Sequence, residues 1–127
     1  MSETTTQGIH IHVEPAYIPE RSNAAARRFF FSYTITITNQ GRVPAQLVSR
    51  QWVITDGLGR VERVRGPGVV GKQPHLKPGQ SFRYTSFCPL TTAVGSMEGS
   101  FQMVRDDGSE FDAEIAPFTL AAPHALN

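Results

Sequence analysis

Phe29-Phe30-Phe31-Ser32-Tyr33-Thr34-Ile35-Thr36-Ile37-Thr38 is the stretch that decides the fold. Phe29, Phe31, Tyr33, Ile35 and Ile37 share one parity, and Phe30, Ser32, Thr34, Thr36 and Thr38 share the other. An extended chain points successive side chains to opposite faces, so this is a strand with one core face and one threonine ladder. The same period governs its neighbours. Gly8 to Ile18 puts Ile9, Ile11 and Val13 on one face and His10, His12 and Glu14 on the other, with Pro15 and Pro19 marking an edge or an end. Arg21 to Arg27 is polar, Ala-rich and too short for a stable helix, so it reads as a loop.

Downstream, Asn39-Gln40-Gly41 closes the Phe29 to Thr38 strand, and Ala45 to Asp56 follows with Val48, Trp52 and Ile54 facing one way. Asp56-Gly57-Leu58-Gly59 reads as a tight hairpin, with the Asp-Gly pair supplying the positive φ angles, and Arg60 to Arg65 is the return strand. Ser81 to Cys88, Ser96 to Val104 and Glu110 to Leu120 complete the set, the last two joined by a turn at Asp107-Gly108. The expectation is an all-β sandwich of about seven antiparallel strands in two sheets, with Trp52 placed like the buried Trp of immunoglobulin-like domains.

The chain has 127 residues, one Cys, and 12 Lys+Arg against 11 Asp+Glu, a formal net charge of +1. That length fits a single domain spanning 1–127, with an ordered core of about 7–120 and frayed ends, and it buries enough surface to fold without disulfides or a structural metal. A nearly balanced charge argues against a general nucleic-acid binder. No apolar run reaches membrane-spanning length, and the start MSETTTQG lacks the features of a signal peptide, so no membrane insertion and a cytoplasmic location are expected.

Three groups of residues carry candidate chemistry. Gly66, Gly68 and Gly71 spell G-x-G-x-x-G and are followed by Lys72, but Pro74 and Pro78 prevent the helix that a dinucleotide-binding turn opens. What survives is an anion nest built from loop N–H groups, with Arg63, Arg65 and Lys72 as cations, able to take a pyrophosphate or nucleotide. His10 and His12 lie two apart on a strand and so share a face, a weak metal-site candidate against the plain reading of two solvated side chains. Cys88 falls on core parity beside Pro89, as a buried structural thiol would. No catalytic constellation emerges, and no cofactor is called for.

The ordered runs Trp52-Val53-Ile54-Thr55-Asp56, Gly66 to Pro74, Leu76-Lys77-Pro78-Gly79, Phe82-Arg83-Tyr84-Thr85-Ser86, Cys88-Pro89-Leu90 and Gly95-Ser96-Met97-Glu98-Gly99 resemble the ApaG family of small bacterial proteins over about residues 8 to 120. Two departures are Lys72, where many members carry an acid, and Phe87, where a small residue is usual. The resemblance implies an immunoglobulin/fibronectin type III-like β-sandwich, consistent with the strand count above, and an association with cobalt resistance and magnesium efflux. It implies a possible pyrophosphate site at Gly66, Gly68 and Gly71, and a binding role like that of related domains attached to F-box and polymerase-interacting proteins. Residues and resemblance together lead us to expect a non-enzymatic protein-interaction domain. The alternative is a small-ligand sensor at the Gly-rich loop, and the third reading is a nucleotide-hydrolysing enzyme. A protein partner is expected; its identity and the oligomeric state are left open.

Overall fold

In a computed structural model, residues 1–125 are described. Nine strands follow in chain order: β1 (Ser2–Thr6), β2 (Ile9–Tyr17), β3 (Phe29–Asn39), β4 (Ala45–Asp56), β5 (Val61–Pro67), β6 (His75–Leu76), β7 (Ser81–Leu90), β8 (Val94–Arg105) and β9 (Glu110–Ala121). One sheet has the order β1-β2-β3-β7 and the other β5-β4-β8-β9, with β6 also paired to β4. All pairings are antiparallel. Two sheets facing each other across one core make the expected β-sandwich.

Alternation builds that core. Ile9, Ile11, Val13, Phe31, Tyr33, Ile35, Ile37, Tyr84 and Cys88 are buried from the first sheet, and Leu47, Trp52, Met97, Phe101, Met103, Phe111 and Phe118 from the second. Trp52 meets Tyr33 at 5.3 Å and Phe118 at 6.0 Å between ring centroids, both edge-on, so the aromatic wedge joins β3, β4 and β9. The threonine ladder is present on the outer face, where Thr34 and Thr38 reach Thr85 and Ser81 on β7, each hydroxyl pair at 2.8 Å.

The seven expected strands become nine because two short ones carry no apolar alternation. β1 pairs with β2 throughout, so the N-terminal residues expected to fray are ordered, and β6 is only two residues long. The segment after β2 contains two short 3-10 turns, Pro19–Arg21 and Ala24–Ala26, rather than plain loop. In the Asp56 hairpin the positive φ lies at Gly59 (82°), not at Gly57. There Asp56 Oδ1 accepts from the N–H of Leu58 and Arg60 and fixes the bend.

A β-bulge corrects the expected face of β4. Leu47 pairs with Met103 and Ser49 with Gln102, so Val48 is an extra residue and parity reverses there. Leu47 is therefore fully buried, Val48 only partly, and Arg50 falls into line with Trp52 on the inward-facing set. A second irregularity, opposite Met97 and Gly99, shifts β9 so that Ile115 and Phe118 both face inward.

Candidate functional site

The Gly-rich segment is a strand end followed by a two-residue turn. Gly66 and Pro67 finish β5, opposite Arg50 and Ser49 of β4. The Gly68 N–H donates to Val48 O at 2.8 Å, and Val69 and Lys72 exchange backbone bonds of 2.8 and 2.9 Å around Val70 and Gly71. Both turn residues have positive φ, 43° and 80°, the signature of a hairpin turn whose twist matches its flanks.

Arg50 organises this loop from below. Its Nη1 donates to Pro67 O at 3.0 Å and to Gly68 O at 2.9 Å. A Cβ on Gly66 would stand 3.0 Å from the guanidinium nitrogens, and one on Gly68 would come within 2.3 Å of Lys72 O. Gly66 thus leaves room for an arginine, and Gly68 for a backbone crossing. The N–H groups of Gly68, Val69 and Lys72 are spent on protein carbonyls, while two loop carbonyls face a cation.

A groove of about 460 Å³ lies beside the loop, lined among others by Arg50, Gln51, Arg65, Gly66, Gln73 and Gln102. It contains Arg65 and Gly66 of the expected anion site, while Arg63, Gly68, Gly71 and Lys72 are outside its lining. With its amide oxygen toward Arg65, Gln51 accepts from Nη2 at 2.7 Å and Nε at 3.2 Å, fixing that guanidinium across the β4–β5 pair. Sequence reasoning missed Arg50, because the bulge at Val48 decides where it points.

His10 and His12 lie on the outer face of β2, as the parity requires, and meet β1 side chains. His12 Nδ1 is 3.0 Å from Glu3 Oε1 and its Nε2 is 3.0 Å from Glu14 Oε1, while His10 Nδ1 is 2.9 Å from Thr5 Oγ1. The Glu14 and then the Glu3 hydrogen bond raise the His12 pKa above the ordinary imidazole value, because each carboxylate favours the imidazolium that donates to it. Among the described residues, no group of three or more His, Cys, Asp or Glu side chains is arranged to hold a metal ion.

The sandwich has two unlike long sides. At one, β1 side chains reach the backbone of β9: Ser2 Oγ donates to Ala116 O at 3.0 Å, Thr4 Oγ1 donates to Glu114 O, and Thr6 Oγ1 accepts from the Glu114 N–H at 3.2 Å. At the other, β5 and β7 are the outermost strands of their sheets. Cys88 sits behind this second side, its pKa pushed up to about 11 by burial first and by the Glu62 carboxylate second. Trp52 Nε1 and the Tyr84 hydroxyl are buried there without a hydrogen-bond partner, and burial drives the Tyr84 pKa upward. A thiol held neutral in this way is no nucleophile at neutral pH.

The family model described as the ApaG domain matches residues 19–105. The chain belongs to the ApaG family. Protein ApaG of Anaeromyxobacter dehalogenans is 58% identical over 127 residues, covering 100% of both chains, and Protein ApaG of Pseudomonas aeruginosa is 54% identical over the same span. A crystal structure of a Bordetella pertussis protein given the name ApaA superposes with a TM-score of 0.89 at 49% identity, covering 91% of this chain and 94% of that one. The matched ApaG segment contains β3 to β8, so it holds both strands of the open side and the Gly-rich loop. The histidines of β2 and the lacing strands β1 and β9 fall outside it. Among the described residues, no helix is long and apolar enough to cross a membrane.

Proposed function

We propose that this ApaG-family chain is a non-enzymatic accessory domain that binds another protein along the side bounded by β5 and β7. The observation that carries this reading is the asymmetry of the sandwich: all four of β1, β9, β5 and β7 end a sheet, but the β1–β9 side is bonded across by three hydroxyls, whereas among the described residues no hydrogen bond joins β5 to β7. An outermost strand offers main-chain donors and acceptors to an added strand, a recognition mode that needs no catalytic chemistry. The role in cobalt resistance and magnesium efflux implied by the family resemblance would then be exerted through the bound protein. The test is photo-crosslinking in a bacterial lysate, with the crosslinker placed at Thr85 on β7 or at Thr5 on β1. A discrete adduct from Thr85 alone is expected; equal adducts from both positions would sink the reading.

A second reading has its own observation, the groove of about 460 Å³ that holds Arg50 and Arg65 beside the Gly-rich loop. It makes the domain a sensor of a pyrophosphate or nucleotide. Titration of labelled protein with ATP, pyrophosphate and diadenosine tetraphosphate would give saturable amide shifts centred on residues 66–72; unmoved resonances at millimolar ligand would end it. Phosphate release in the same samples tests the hydrolase reading.

A further inference from the structure

We propose that the occupant of the β7 edge is an acidic, extended segment of a partner protein, seated with carboxylates on Arg21 and Arg28 and an apolar side chain against Phe87; this rests on the interaction-domain reading above. Phe87 is 51% exposed, the one exposed Phe, Tyr or Trp ring among the described residues. It lies on the outer face of the first sheet, stacked on Phe30 with centroids 5.5 Å apart. The Arg21 guanidinium stands 4.1 Å from the Phe30 ring centre and 5.7 Å from that of Phe87.

The backbone around these arginines is pinned. Ser22 Oγ donates to Ile18 O at 2.7 Å and accepts from the Phe30 N–H at 2.9 Å, while Asn23 and Arg28 exchange two backbone bonds. Arg21, Arg27 and Arg28 are exposed, and within this chain none of them makes an ion pair with a carboxylate among the described residues. A hollow of about 440 Å³ runs between Arg21, Arg28, Phe30 and Pro89, ending at the outermost strand.

Three features then select the ligand together. Unneutralised guanidinium groups select carboxylates, which they bind with paired, directional hydrogen bonds. The exposed Phe87 ring selects an apolar side chain. The edge of β7 selects an extended backbone, which can pair up to Pro89, where the missing N–H ends the ladder. A nucleic acid fits less well, because binding a phosphate backbone calls for a basic excess, and the chain carries 12 Lys+Arg against 11 Asp+Glu.

The experiment selects a random twelve-residue peptide library, displayed on phage, against the immobilised full chain, followed by binding assays on synthetic peptides. Enrichment of sequences with two or more acidic residues flanking an apolar one is expected. Binding should weaken at least tenfold in Arg21→Glu/Arg28→Glu and in Phe87→Ser, and persist in the control Arg63→Glu/Arg65→Glu. Uncharged or basic peptides that still shift the amides of β7 would overturn the acidic occupant while leaving the interaction-domain reading intact. If no selected peptide moves β5 or β7 resonances, both readings fall. Tighter binding of a fifteen-residue oligothymidine through Arg21 would replace the peptide by a nucleic acid. Self-association lost in Arg21→Glu/Arg28→Glu would replace it by a second copy, whose β9 carries Glu110, Asp112 and Glu114.

Discussion

The two long sides of the sandwich solve the same problem in opposite ways. Along β1 and β9, the end strands of the two sheets are drawn together by Ser2, Thr4 and Thr6, short hydroxyl side chains that bond the backbone of β9 directly. Along β5 and β7, arginines, a half-exposed phenylalanine and a proline flank strands that pair on one side only. Edge strands invite unwanted pairing, and charge and proline blunt it. The same residues also give an invited partner something to recognise. The contrast teaches that the closed side serves the fold, while the open side is where recognition can be afforded.

That contrast can be broken most severely at the core. If aromatic packing rather than edge bonding holds the open side together, Trp52→Ala should cost about 3–5 kcal/mol in urea denaturation, the usual range for deleting a buried large ring. A loss below about 1 kcal/mol would mean that the open side is held by something else. Next in size is the reactivity of Cys88. With its pKa at about 11, the thiolate fraction at pH 8 is roughly 100-fold below that of an ordinary thiol, so reaction with a disulfide reagent should be slower by about that factor. Reaction at the rate of an exposed thiol would show the open side separating freely.

The lacing comes third. Replacing Ser2 with Ala and Thr4 and Thr6 with Val removes three partly exposed hydrogen bonds, so about 2 kcal/mol of stability should go, together with faster amide exchange at Glu114. Unchanged exchange would make the two sides equivalent. The smallest effect is expected from His12. Its pKa is raised in the folded chain, so its contribution is complete below the unfolded value of 6.5 and fades as pH rises through the raised value. Glu14, lowered by the His12 hydrogen bond, contributes above 4.5 and loses its share as pH falls through the lowered value. Stability of the wild type should therefore decline slightly on passing upward through the His12 titration, and His12→Gln should remove that slope; an identical slope in both proteins would refute it.

How much of this is legible in sequence depends on whether one face of a segment is fully buried. In β3 one face is buried from Phe31 to Asn39, and its reading from Phe29 to Thr38 needs only the addition of Asn39. β1 has no such face: Ser2 to Thr6 has no apolar residue, and its place follows from hydroxyls bonding a strand more than a hundred residues away. Asn39 reads as a turn residue, yet it is 1% exposed and its amide donates to Val43 O and Leu76 O, a bond set that requires the β6 segment to be in place. At the Gly-rich loop the spacing of Gly66, Gly68 and Gly71 is plain, but the role of Gly66 depends on a guanidinium crossing from another strand. Arg21 and Phe87 are likewise unremarkable apart, since only the β3–β7 pairing brings the ring to the arginine.

Val48 carries a consequence for how the chain tolerates change. Because it is the one extra residue in the β4–β8 ladder, β4 is written in two reading frames: odd positions point inward before it and even positions after it. Deleting Val48 would leave those faces unchanged, because Leu47 and Ser49 would then alternate regularly opposite Met103 and Gln102 with Trp52 still inward, but it would remove the carbonyl that accepts from the Gly68 N–H at 2.8 Å and the Gln73 amide at 2.9 Å. A residue with no counterpart in the opposite strand thereby serves as the mooring of the loop at the edge of the molecule.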